Sequence, residues 1–301
     1  MVKADDIFLF VQVVDEGSFS RVAERCGLTN SVVSKRIGRL EKALNVQLLY
    51  RTTRKLSLTD AGRALYGKAR LAQEALQDAQ DAVTGYGDTI RGKIRITAPA
   101  VSSGLVLSEA IAEFCQRYPD VEIELVVSNH FYDLIDDGFD LAIRTAVLED
   151  SSLIARRLID SHWMTCASAA YFSKAPALTH PDDLSNHHCL LYKNDATAQA
   201  AWQFRQGDSS YSVLVNGRFR TNNLDSLCKA AEAGLGIAYL PRALVHESLL
   251  SGKLVTVLDD FVDKALGIYA VYPRTRQPDK KLNLLVEHFR QAFQAKKAWF
   301  F

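Results

Sequence analysis

Residues 17–62, GSFSRVAERCGLTNSVVSKRIGRLEKALNVQLLYRTTRKLSLTDAG, hold two short apolar stripes separated by a glycine. In the second stripe Val33, Ile37, Leu40 and Leu44 recur at alternating spacings of four and three, the mark of a helix with one buried face. Thr29 supplies an N-cap hydroxyl, so a helix is predicted from Asn30 to about Leu44. Upstream, Ser20 to Cys26 reads as a shorter helix with Val22, Ala23 and Cys26 inward, and Gly27 as the tight turn between them. A further helix, Ile7 to Val14, carries a broad apolar stripe that Gly17-Ser18 ends. Two short helices about a glycine turn, the second polar and basic at its N-terminal end, form the helix-turn-helix geometry that presents a helix to the major groove of DNA. Asn30, Ser31, Ser34, Lys35 and Arg39 are then expected in the groove, with Arg36 on a phosphate. Val46–Tyr50 and Leu56–Leu58 read as a small hairpin, or wing, whose turn gathers Arg51, Arg54 and Lys55, cations suited to phosphates.

Charge supports a polyanion partner for this end of the chain. Net charge is +1, yet residues 1–70 hold 13 Lys and Arg against 7 Asp and Glu, and the rest hold 23 against 28. The remaining totals, 48% hydrophobic and 24% charged residues, are those of a soluble protein and exclude disordered or collagen-like chains. Five cysteines without a CxxC pair point to reduced, mostly buried thiols in a cytoplasmic protein. The N-terminal apolar run is broken by Gln12 and Asp15, so neither a secretion signal nor a membrane span is expected.

Thr59 can cap a long helix to about Thr84 on which Leu65, Ala69, Ala72, Leu76, Ala79 and Val83 recur at spacings of four and three. Such a seam suits pairing with a second chain, or packing of one helix on its own body. Gly85 to Gly92 reads as a hinge, after which the period changes. Lys93–Ile96 alternates, and a helix is predicted from about Ser103 to Tyr118. A strand follows at Val121–Val127, then a short helix near Phe131–Asp136 and a strand at Leu141–Ile143. A second, similar unit is expected over about 162–265, with a strand at Tyr211–Val215, a helix at Leu224–Ala233 and a strand at Ile237–Leu240. A strand at Leu266–Tyr272 and an amphipathic helix at Leu282–Ala295 complete the chain. Alternating strands and helices imply α/β layers with ligands at strand ends.

Several sharper readings fail. Gly234-Leu235-Gly236 lacks the strand before it and helix after it that a dinucleotide loop needs. His187-His188-Cys189 with His180 lacks a complementary ligand pair at usable spacing, so no metal is expected. No GxSxG motif is present and no triad can be ordered, so no enzyme and no cofactor are expected.

The chain resembles the LysR-type transcriptional regulators. Gly17-Ser18-Phe19-Ser20, Ser34, Ile37, Leu40-Glu41, Leu48-Leu49, Arg51 and Leu58-Thr59-Asp60-Ala61-Gly62 fall in order on the pattern of that family's winged helix-turn-helix. Val22, Cys26, Asn30 and Tyr50 depart from it, and Asn30 matters most because a shorter amide reaches a different base edge. The stretches GKIRITAP, FCQRYPDVEIEL, LIDDGFDLAIR, AAEAGLGIAYLP and YAVYP resemble the family's effector domain, itself similar to periplasmic solute-binding proteins. The resemblance implies a winged helix-turn-helix over 1–59, a linker and dimerisation helix with hinge over 60–91, and a two-lobed effector-binding α/β domain over 92–301. Lobe 1 is then about 92–161 with 266–301, and lobe 2 about 162–265. It further implies antiparallel pairing of linker helices into a homodimer, a homotetramer as a dimer of dimers, double-stranded DNA as partner, and an effector between the lobes. Element ends supply the candidate contacts: Ser102 and Ser103 at a helix start, Asn129 after a strand, Arg144 and Thr145 after another, and Thr221 and Asn222 before the helix of lobe 2. Helix N-termini and an arginine suit a small carboxylate or similar anion. Plainer roles stay open: Ser103 and Asn222 can simply cap helices, and Arg144 can pair with a carboxylate. The competing functional reading is a ligand-independent repressor or architectural DNA-binding protein of the same fold.

Overall fold

The computed structural model describes residues 2–51, 56–84, 90–146, 153–193, 201–276 and 279–301. They form two compact units, residues 1–95 with 131–140, and residues 96–130 with 141–301. Arg54 and Lys55 and most of the expected hinge lie outside the described residues.

The first unit begins with α1 (Ala4–Glu16), α2 (Phe19–Arg25) and α3 (Asn30–Leu44), followed by the strands β1 (Leu49–Arg51) and β2 (Leu56–Leu58) and the long helix α4 (Asp60–Thr84). Local chemistry sets each boundary. Ser18 caps α2 by accepting from the Arg21 N–H at 3.4 Å, and Thr29 caps α3 by accepting from Val32 at 3.3 Å. Gly27, at φ 64°, takes the left-handed conformation that the turn between α2 and α3 requires. The stripe read from sequence is buried: Val33, Ile37 and Leu40 join Leu9, Phe10, Val13, Val22, Ala23, Leu48, Leu49, Tyr66 and Ala69 in one core.

Three motif residues tie the wing to this core. The Glu41 carboxylate accepts from the backbone N–H groups of Leu48 and Leu49 at 2.9 and 3.2 Å, fixing the approach to β1. The Thr59 hydroxyl donates to the Gln47 carbonyl at 2.6 Å and accepts from Gly62 N–H at 2.9 Å, so one side chain caps α4 and fastens it to the segment leading into β1. Gly62 is dictated by space, since a Cβ there would lie 2.1 Å from the Leu48 carbonyl oxygen. β1 and β2 pair antiparallel.

The short helix expected at Phe131–Asp136 is absent. Asp133 accepts from the N–H groups of Ile135 and Asp136 at 2.9 and 3.0 Å, which makes a side-chain-capped turn, and Gly138 at φ 70° stops it after one round.

The second unit is α/β. In chain order it comprises β3 (Gly92–Ala98), α5 (Ala100–Ser102), a π-turn (Ser103–Leu107), α6 (Ser108–Arg117), β4 (Val121–Val127), β5 (Leu141–Ala146) and β6 (Leu153–Ala167). α7 (Ala169–Phe172), β7 (Cys189–Tyr192), β8 (Ala201–Gln206), β9 (Ser209–Leu214), β10 (Phe219–Thr221), α8 (Leu224–Glu232) and β11 (Ile237–Pro241) follow. α9 (Arg242–Leu250), β12 (Val255–Val257), β13 (Ala265–Pro273), α10 (Lys280–Ala295) and α11 (Lys297–Phe300) close the chain. The strand order is β10-β7-β11-β6-β13-β5-β3-β4, with β12 beside β6. β6 changes partners along its length: Leu153–His162 pairs with β13, and Trp163–Ala167 with β11 or β12. β6 therefore crosses from one lobe to the other. The 15-residue β6, the helix α9 and the strand β8 have no counterpart in the sequence reading, whereas β9 is the strand expected at Tyr211–Val215. β6 escapes because it crosses from one lobe to the other and its residues follow no single alternation.

The helix expected from Ser103 begins at Ala100 and widens into the π-turn. Two of the carbonyls there are taken up by side chains: Ser108 donates to Ser103 O at 2.8 Å, and the Lys296 ammonium to Leu105 O at 2.9 Å. α10 returns to lobe 1, where His288 contacts the Ala110 carbonyl at 2.9 Å. Cys166, Cys189 and Cys228 are buried and all five thiols are free. Burial pushes Cys166 and Cys189 up to about 12, as expected of inert structural thiols.

Candidate nucleic-acid interface and effector cleft

The polar face of α3 is presented outward with its cations held in place. Asn30, Ser31, Lys35 and Arg39 are exposed, and Ser34 and Arg36 half-buried. The Asn30 amide donates to the Ser20 hydroxyl at 3.2 Å, so α2 fixes the departure residue of the motif. Arg36 and Arg39 converge on Asp6 of α1, with N···O distances of 2.7 and 2.6 Å. The Asp6 side chain is only 3% exposed, whereas Arg39 keeps 53% and Arg36 27% of its surface. Burial opposes ionisation of Asp6, but the two guanidinium hydrogen bonds and charges outweigh it and hold the carboxyl below its usual range. Each arginine is thus aimed by a buried acid while part of its fork stays open to a phosphate or base. Sequence reasoning missed Asp6, and nothing in one chain's pattern pairs a residue of α1 with two of α3. Of the wing cations, the Arg51 backbone lies on β1, and Arg54 and Lys55 are outside the described residues.

The seam of α4 divides in two. Leu65 and Ala69 pack into the core of the first unit, which removes them from the expected pairing surface. Ala72, Leu76 and Ala79 are exposed, Leu76 to 50%. The Val83 side chain lies outside the description.

In the second unit the strand ends of lobe 1 are tied together. Ser128 N–H donates to the Ala98 carbonyl at 2.9 Å, joining the ends of β4 and β3. Arg144, buried on β5, donates to the His130 carbonyl at 3.0 Å. Thr145 follows it, half-buried. Ser102 and Ser103 stand at the helix start after β3, both nearly fully buried. Ser103 donates to the Pro99 carbonyl at 2.9 Å, while the Ser102 hydroxyl has no hydrogen-bond partner among the described residues. Thr97, fully buried near the end of β3, also carries a hydroxyl without a partner, and sequence reasoning passed over it. Across in lobe 2, Thr221 accepts from Asn223 N–H at 3.2 Å, and Asn223 caps α8 through Ser226 N–H at 2.9 Å. The cap considered for Asn222 therefore belongs to its neighbour. Asn222 instead accepts through its carbonyl from the Asn129 amide at 3.0 Å, which links one lobe to the other. Among the described residues no group of three or more acidic, His or Cys side chains could hold a metal ion, and no helix is long and apolar enough to cross a membrane.

Comparison with known proteins matches both halves of the chain. Residues 4–63 match the family described as bacterial regulatory helix-turn-helix protein, lysR family, and residues 87–294 match the LysR substrate binding domain. The sequence is 32% identical over 296 residues to the probable HTH-type transcriptional regulator LtrA of Klebsiella pneumoniae, covering 97% of this chain and 96% of that protein. In structure it is similar to the full-length Vibrio cholerae virulence activator AphB, at 31% identity and a TM-score of 0.61, covering 96% of this chain and 98% of that one. The same holds for the LysR-type transcriptional regulator CrgA from Neisseria meningitidis, at 30% identity and a TM-score of 0.59, covering 96% and 99%.

Proposed function

This chain belongs to the LysR family of DNA-binding transcriptional regulators, and from that premise we propose which residues read DNA, which hold an effector and what that effector is. The exposed polar face of α3 enters the major groove through Asn30, Ser31, Ser34, Lys35 and Arg39. Arg36, with Arg51, Arg54 and Lys55 of the wing, holds phosphates. The observation that carries this assignment is the Asp6 clamp, which orients two guanidinium groups on one face of the helix without neutralising their exposure. Selection from a random duplex library tests it. Asn30→Ala should alter the preferred half-site. An unchanged preference at normal affinity would remove Asn30 and the face around it from the interface.

The effector is a small carboxylate or similar anion held between the lobes by Ser102, Ser103, Asn129, Arg144, Thr145, Thr221 and Asn222. Two observations support this reading: Ser102, a buried residue at a helix start, has a hydroxyl without a partner among the described residues, and the Asn129–Asn222 hydrogen bond links the lobes. The effector acts on DNA by favouring one of two lobe arrangements. A thermal-shift panel of small carboxylates on the full chain tests it: no shift across the panel favours the ligand-independent repressor.

The chain self-associates through Ala72, Leu76 and Ala79 of α4, as a dimer and then a tetramer. Leu76→Asp replaces an already exposed side chain, so the fold should survive while sedimentation shows a smaller species. An unchanged sedimentation coefficient would place the dimer elsewhere.

A further inference from the structure

Lobe 2 carries a second group of donors that neither the DNA interface nor the interlobe cleft uses. Trp163 lies in β6 just past its pairing with β13, Lys264 immediately precedes β13, and the Trp163 backbone N–H donates to the Lys264 carbonyl at 2.9 Å. The Lys264 ammonium lies 3.6 Å from the centre of the Trp163 ring and 5.1 Å from that of Tyr239. Tyr239 stands edge-on to the indole at 6.0 Å, and its hydroxyl donates to the Gln203 carbonyl at 3.2 Å. An aromatic face attracts a cation but offers no lone pair to its N–H groups. No acid answers Lys264 among the described residues. The adjacent Asp263 binds Arg205 at 2.7 Å instead. The indole N–H of Trp163 is likewise buried and without an acceptor. Two donors, one of them charged, therefore lie on and beside the same ring with no acceptor for either among the described residues. A native interior rarely leaves such groups unanswered.

We propose that Lys264 and Trp163 form a second anion site, in lobe 2, that takes a small carboxylate. The two oxygens of a carboxylate match the two donors, one accepting from the ammonium and one from the indole N–H. The aromatic wall gives the carbon skeleton of the acid an apolar surface. The site lies on the sheet face of Trp163 and Tyr239, whereas α8 covers the opposite face through Met164, Cys166 and Leu240. Burial without a counter-ion pushes the Lys264 amine down to about 8, consistent with a cation lacking its acid.

The experiment is a titration of the full chain with acetate, benzoate and chloride, read by the indole N–H resonances of 15N-labelled protein. Trp163→Phe identifies the resonance. A saturable movement of the Trp163 signal with a carboxylate, lost in Lys264→Met and retained in Ser102→Ala, is the expected result. Lys264→Met keeps the side-chain volume and removes a charge, so the variant should fold, and thermal unfolding checks that it does. Calorimetry of Trp163→Phe should show the carboxylate bound about ten- to a hundredfold more weakly, the share of one hydrogen bond to a charged group. No movement with any of the three anions, movement that survives Lys264→Met, or movement lost in Ser102→Ala would each overturn the proposal. The last result would assign the response to the interlobe cleft.

Discussion

The recognition helix and lobe 2 treat buried-side cations in opposite ways. Arg36 and Arg39 share one buried acid, Asp6, contributed by a different helix. Lys264 rests on an indole whose own N–H has no acceptor among the described residues, and its neighbouring acid is occupied by Arg205. The first arrangement closes its hydrogen bonds inside the chain and spends the result on orientation. On the proposed assignment to DNA, two flexible side chains are fixed before the duplex arrives, so less rotamer freedom is lost on binding. The second leaves donors open, and open donors in a partly dry site are where a ligand gains most. A closed set therefore marks a positioning device, and an open set marks a place for something to bind.

The sharpest way to break this contrast is to open the closed set. Asp6→Ala leaves two guanidinium groups without their acid and should cost the first unit about 2 kcal/mol or more. Operator affinity should fall about tenfold or more even for the fraction that remains folded, since both arginines regain their freedom. Asp6→Asn should fall between the two. The pH dependence has a definite sign. The folded-state carboxyl of Asp6 titrates below its unfolded value, so its contribution is fully present above the ordinary carboxylate range and is lost as pH falls through the folded value. Denaturant unfolding of wild type and Asp6→Ala should therefore converge in acid. Equal affinity for DNA in the two proteins, measured by anisotropy at pH 7, would show that the clamp orients nothing that DNA uses.

How much of this was legible in the sequence follows the same division. Features set by short-range chemistry were readable: the Thr29 cap, the Gly27 turn, the buried stripe of α3 and the wing strands are each specified within a few residues. The family motif marked Glu41, Thr59 and Gly62, but their jobs became clear only in the fold, where each meets a backbone group of Gln47 to Leu49. Features that depend on distant partners were not readable. Asp6 is separated from Arg36 by 30 residues, and Lys264 from Trp163 by about a hundred. β6 was missed for a related reason: half of it serves one lobe and half the other, so no single periodicity describes it. The seven effector candidates were chosen as element ends, the feature that hydrophobic period and turn residues mark best. Which of their polar atoms are engaged, and which are open, required coordinates.

A smaller effect should come from removing the open cation. Below pH 8 Lys264 is charged in the folded and the unfolded chain, and only the folded chain bears the cost of keeping the ammonium from water. Between pH 8 and about 10.4 the unfolded chain keeps the proton that the folded chain has lost, so stability rises with pH. Lys264→Met should therefore be more stable than wild type at pH 7, by on the order of 1–3 kcal/mol, with the gain shrinking as pH approaches 10. Urea unfolding at pH 7 and 9.5 measures both. A variant less stable than wild type at pH 7 would mean that the ring alone satisfies the ammonium, and the contrast with the arginine clamp would collapse.

The finest test of the contrast lies in two adjacent serines. Ser103 already donates to the Pro99 carbonyl, a local bond in the first turn after β3. Ser102 is as deeply buried, at 4% exposure, and its hydroxyl has no partner among the described residues. Neighbouring positions, the same chemistry and similar burial leave engagement as the main difference between them. Ser103→Ala should cost about 0.5–1.5 kcal/mol, the net worth of an ordinary hydrogen bond. Ser102→Ala should change stability by less than about 0.5 kcal/mol, because no bond is broken. The order should reverse for the effector: Ser102→Ala should abolish the carboxylate-dependent change in operator footprint, while Ser103→Ala should leave part of it. Thermal unfolding, operator affinity and footprint length, measured on the same preparations with and without the carboxylate found in the panel, resolve the two. If both variants keep the full footprint response, the helix start after β3 does not touch the effector. If Ser102→Ala loses stability as Ser103→Ala does, the hydroxyl had a structural partner, and an open buried donor is no guide to a binding site in this fold.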